Sequence, residues 1–112
     1  MERPEWDGRE ETKWHTLLAC LVWIFNVRVA YARRVYVEIV QLLYCSRIVH
    51  VGIENGHVCI VVTDLLTMMS ACITIYCTGK IHIPYSYAEP RGIKQWRFEN
   101  ELQRIKRAYE NM

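Results

Sequence analysis

Glycine and proline are scarce in this chain, five and three among 112 residues, and neither occurs between Arg9 and Cys45. A chain of many short strands needs such breakers, so their absence there predicts a long helix instead. No glycine-rich nucleotide loop is present. Thr78-Gly79-Lys80 has the last letters of a phosphate loop, but the glycine-rich lead-in is missing and a strand is expected to follow. No two cysteines stand in a CxxC pair, and five of them (Cys20, Cys45, Cys59, Cys72, Cys77) do not suit a secreted disulfide framework. Each lies in an apolar run, where a thiol behaves as a small hydrophobe, so reduced core cysteines in an intracellular, cytoplasmic protein are expected. A bridge from Cys59 to Cys72 or Cys77 on a neighbouring strand is the alternative.

Charge of one sign is lacking too. The formal charge is +2, with acids and bases interspersed, too little to imply a nucleic-acid or membrane partner by itself. Met1–His15 is acidic on balance, so no secretory signal is expected. Leu17–Val27 is too short to span a bilayer before Arg28, and His57–Cys77 is interrupted by Asp64 and by Thr and Ser, so a membrane partner is not expected. Hydrophobic residues make up 52% of the chain, which excludes a disordered polar segment.

What is present reads as one α+β domain, an antiparallel sheet of about four strands in two β-hairpins packed against a long N-terminal helix and a C-terminal helix. A polar leader over 1–8 precedes the long helix at 9–45. From Asn26 onward the polar and small residues Asn26, Ala30, Arg33, Arg34, Glu38 and Gln41 recur at helical spacing, opposite Ala32, Val35, Tyr36, Ile39 and Leu43. Alternation at Val27, Val29 and Tyr31 and at Val35, Val37 and Ile39 would suit strands, but no turn residues lie near Ala32-Arg33. Unbroken, these 37 residues would span roughly 55 Å, too long for one small domain. A break near 26–28, or a projecting end covered by a second copy, resolves the length. Leu17, Leu21, Trp23, Ile24 and Phe25 belong to a turn-by-turn apolar segment that one small sheet would not cover, and they are the expected self-association residues of a homo-oligomer, a dimer first.

Asn55-Gly56 between two β-branched runs predicts a type I′ hairpin over 47–63. Its register would put Val49, Val51, Ile53, Val58, Ile60 and Val62 on the core face. Ile48, His50, Gly52, Glu54, His57, Cys59, Val61 and Thr63 would share the other. A short helix at 64–71 capped by Thr63 or Asp64, a second hairpin at 72–87 with Pro84 at an edge, and a helix at 92–111 complete the order.

Three functional readings follow. The first is a non-enzymatic protein acting through self-association and partner binding, with no cofactor and no catalytic residues assigned, because no catalytic set converges. The second is a nucleic-acid binder using Arg28, Arg33, Arg34, Arg97, Arg104 and Arg107, with Tyr31 and Tyr36 near enough to stack on bases. The third is a metal-dependent hydrolase, with His50, His57 and Cys59 as ligand types on one face and Asp64 near Lys80 and His82 as an acid at a strand end. Many Val, Ile, Tyr and Arg residues hint at a thermophile.

Overall fold

The first helix ends where the chain places Asn26 in the left-handed region (φ 46°), its backbone N–H donating to the Val22 carbonyl. Asparagine adopts this conformation more readily than other residues with a β-carbon, and it closes the helix as a glycine would. Helix α1 spans Lys13–Phe25, after a single 3-10 turn at Glu10–Thr12. Helix α2 spans Val29–Leu42. The computed structural model describes residues 2–26 and 29–110, so Val27 and Arg28, in the stretch where a break was expected, lie outside the described residues. The two helices lie side by side and antiparallel. Phe25 meets Tyr31 at 4.8 Å between ring centroids near the break, and Trp14 meets Tyr36 at 6.4 Å further along.

Four antiparallel strands follow, in the spatial order of the sequence: β1 (Ser46–Glu54), β2 (His57–Asp64), β3 (Ser70–Tyr76) and β4 (Ile81–His82). Asn55 and Gly56 both take positive φ, 51° and 81°, as a type I′ turn requires. Glu54 faces His57, Ile53 faces Val58, and Val51 faces Ile60.

Beyond His50 the sequence-derived register fails by one residue. A β-bulge lies between Ile48 and His50, so that Ile48 pairs with Val62 and His50 with Val61. The extra residue is Val49. It turns outward to 49% exposure while Ile48 drops into the core at 2%, the reverse of the strict alternation expected from the hairpin.

Two further expectations are corrected. Residues 64–71 hold no helix. The Asp64 backbone N–H donates to Met69 O at 2.9 Å, and Met68 adopts φ 59°, so β2 returns directly into β3 through a tight loop. The Asp64 carboxylate binds within this loop, to Leu66 N and the Thr67 hydroxyl, and so stabilises a turn rather than a helix start. The second hairpin is also shorter than 72–87. Strand β4 has two residues before Pro84 leads into helix α3 (Tyr85–Ala88) and a 3-10 turn at Glu89–Arg91. Helix α4 (Gln95–Glu110) closes the described fold.

Helix α1 lies against β1 and β2, α4 reaches β4, and α2 packs on both α1 and α4. The core between these helices and the sheet includes Leu17, Leu21, Val35, Ile39, Val51, Val58, Ile60, Ile73, Ile75 and Leu102. Among the described residues, no helix is long and apolar enough to cross a membrane.

Candidate interaction surface

The loop between β2 and β3 is held from below by a polar clasp. Asp64 accepts hydrogen bonds from Leu66 N at 3.1 Å, the Thr67 hydroxyl at 3.0 Å and an Arg91 terminal nitrogen at 2.7 Å. The backbone N–H of Leu66, then Arg91 and Thr67, hold its carboxyl below the ordinary carboxylate range. Arg91 also donates to the carbonyls of Tyr44 and Cys45 and to Ser46 Oγ at 2.8 Å, and its guanidinium lies 4.4 Å from the Tyr87 ring centroid. The Tyr87 hydroxyl donates to Leu42 O at 3.2 Å and meets Ser46 Oγ at 2.7 Å. One cation thus satisfies carbonyls just past the end of α2, where the helix dipole favours positive charge, and ties them to the end of β2.

Above the clasp the loop presents apolar side chains to solvent. Leu66 is 78% exposed and Met68 70%, with Leu65 and Met69 more than half exposed. Val49, displaced outward by the bulge, and Trp6 from the leader adjoin them. A shallow cleft of about 520 Å³ is lined by Trp6, Val49, Leu65 and Met68 together with the charged Arg47 and Glu10. Soluble chains seldom expose neighbouring large apolar groups, and flexible methionines suit a surface that adapts to a partner. Sequence reasoning missed this loop because the mostly apolar run Leu65–Ala71 after an aspartate reads equally as a capped, buried turn of helix.

The residues singled out in the sequence fall elsewhere. Of the expected self-association set, Leu17, Leu21, Ile24 and Phe25 are buried within one chain and Trp23 is half-buried. The apolar segment is covered because α2 folds back beside it, a cover that a single long helix would have lacked. In the arginine set, Arg34 is paired with Glu38 at 2.7 Å and lies 3.6 Å from Glu101, which also binds Arg104. Arg97 lies 5.3 Å from the Trp96 ring centroid at the exposed start of α4. Arg33 and Arg107 are exposed, and Arg28 lies outside the described residues. His50, His57 and Cys59 do share the outer face of the sheet, opposite Val61, Glu54 and Gly52 in turn. They do not converge: among the described residues no three His, Cys, Asp or Glu side chains gather as metal ligands do. His50 instead stands 6.5 Å from Trp6, and His57 5.4 Å from Tyr76, between ring centroids. Asp64 is separated from Lys80 and His82 by the length of β2, since the His57 end of that strand, not the Asp64 end, adjoins Tyr76 and the turn to β4.

A second cleft, of about 550 Å³, lies between β4, α3 and the start of α4, with exposed Tyr85 and Trp96 at its edges and Lys94, Glu89 and Glu99 around it. Compared with known family models, curated proteins and solved structures, the chain matches none.

Proposed function

We propose that this chain is a non-enzymatic protein that works by self-association and partner binding, with the loop between β2 and β3 as its contact surface. The observation that carries this reading is the exposure of Leu65, Leu66, Met68 and Met69 on a loop that Asp64 and Arg91 hold in one conformation. A loop ordered before binding loses less entropy when it docks, so a few apolar side chains on it yield more affinity than on a mobile segment. A dimer is the simplest closed assembly through one such patch. Five free thiols fit a reducing, intracellular setting.

The test is light scattering on the purified chain beside the double variant Leu66→Asp, Met69→Asp. The wild-type peak is expected at twice the 13.3 kDa chain mass and the variant peak at the chain mass, with the melting temperature unchanged. A wild-type monomer that retains no partner, or a variant that still dimerises, defeats the reading. The exposed Trp96 beside Arg97 favours a second, weaker reading, binding to nucleic acid. That reading requires a peak rich in 260 nm absorbance that is lost as salt rises.

A further inference from the structure

The outer face of the sheet brings two cysteines together that the loop surface does not use. Cys59 lies at the centre of β2, opposite Thr74, and Cys72 lies two residues from Thr74 on β3, opposite Val61, so both side chains emerge on the same face. Cys59 is buried among its neighbours while Cys72 is exposed. The exposure has a cause: β4 pairs only with Thr74 and Ile75, which leaves the far side of β3 open at Cys72. The Cys59 thiol points to the Glu54 carboxylate, Sγ to Oε2 3.6 Å, and the Cys72 thiol stands beside it as well.

We propose that Cys72 and Cys59 form an exchange site for low-molecular-weight disulfides, in which Cys72 captures half of the molecule and Cys59 displaces it. In the first step Cys72 gives its proton to water and its sulfur attacks one sulfur of the small disulfide. The S–S bond breaks, and one thiolate leaves and is protonated by solvent. In the second step Cys59, whose thiol is pushed up to about 12 by burial and then by the neighbouring Cys72 and Glu54, loses its proton to solvent base. The Cys59 sulfur attacks the Cys72 sulfur, and the second small thiol departs. Two protein thiols are oxidised to one bridge and one small disulfide is reduced to two thiols.

Geometry selects this pair. Diagonal α-carbons on adjacent strands lie roughly 7–8 Å apart, just beyond what a disulfide spans without backbone movement. The open side of β3 leaves room for the small approach required. Cys77 is five residues beyond Cys72 and in the opposite phase, roughly 16 Å along a strand. Cys20 is buried in α1 on the other side of the sheet, and Cys45 precedes β1 beside Arg91.

To test this, the reduced, desalted chain is incubated with oxidised glutathione, capped with N-ethylmaleimide and digested with chymotrypsin without reductant. Cleavage within Leu65–Met69 separates Cys59 from Cys72, cleavage after Tyr76 separates Cys72 from Cys77, and a second digestion with trypsin cuts after Arg47 and separates Cys45 from Cys59. The expected main product is a peptide pair joined through Cys59 and Cys72. Cys59→Ala is expected to stop at a lasting glutathione adduct on Cys72, and Cys72→Ser to take up about tenfold less glutathione at Cys59. A lasting adduct on Cys72 in the wild-type chain, or a bridge through any other cysteine, overturns the assignment. Because the peptide map is read on the wild-type chain, the result stands even if a variant fails to fold.

Discussion

Three donors meet the Asp64 carboxylate, and the nearest of them, Arg91, reaches it from a turn 27 residues further along the chain. Removing the Tyr87 hydroxyl breaks two neutral hydrogen bonds, so Tyr87→Phe is expected to cost about 1 kcal/mol. Arg91→Ala removes the cation from Asp64, from the carbonyls past α2 and from the Tyr87 ring together, and is expected to cost more. Chemical denaturation of the two variants checks the order, and an Arg91 variant as stable as Tyr87→Phe would deny the clasp its role. The pH dependence has a definite sign. Asp64 has a folded pKa below its ordinary value of 3.8, so its contribution is present above about pH 4 and fades as pH falls through the lowered value. Asp64→Asn should therefore be less stable at neutral pH and should lose less further stability than wild type between pH 4 and 2, as read from thermal melts across that range.

At the scale of elements, one inserted residue decides which side chains of β1 reach the core. Strict alternation places Val49 inside and Ile48 outside; the bulge exchanges them. Ile48→Ala is expected to cost about 2–4 kcal/mol, because it opens a cavity among residues that relax only partly. Val49→Ala should stay within about 0.5 kcal/mol. Urea unfolding of both variants distinguishes the two registers, since an unbulged strand would reverse the ranking. The bulge also links fold to surface. By sending Val49 outward beside Leu65 and Met68, it extends the apolar patch that a regular strand would have kept smaller. A bulge on an edge strand disrupts its free hydrogen-bonding row as well, which discourages pairing with another sheet.

Over the whole molecule, apolar residues divide into those buried within one chain and those left exposed on it. Leu21 has no exposed surface and Leu66 is 78% exposed, although both follow directly on apolar neighbours in the sequence. Leu21→Ala is expected to lose about 2–5 kcal/mol of stability. Leu66→Asp should change stability by no more than about 0.5 kcal/mol while weakening association. Circular-dichroism melts measure the first effect and sedimentation velocity the second. If Leu66→Asp unfolded the chain, the loop would belong to the core and the proposed contact surface would be lost.

Local chemistry was enough to determine a good deal. The α+β class follows from a breaker-free N-terminal stretch, an Asn-Gly turn and a C-terminal amphipathic stripe, because helical period and positive-φ turns are properties of a few adjacent residues. The pairing of Glu54 with His57 follows for the same reason. The sharing of one face by His50, His57 and Cys59 was also legible, since alternation holds on either side of the bulge. Tertiary structure alone decided the rest. Whether Leu17, Leu21, Ile24 and Phe25 meet another chain or their own depended on α2 folding back after Asn26. The fate of Leu65–Met69 depended on Arg91, whose bond to Asp64 spans 27 residues of sequence. Burial is set by what arrives from elsewhere in the chain, and no local pattern of hydrophobicity carries that information.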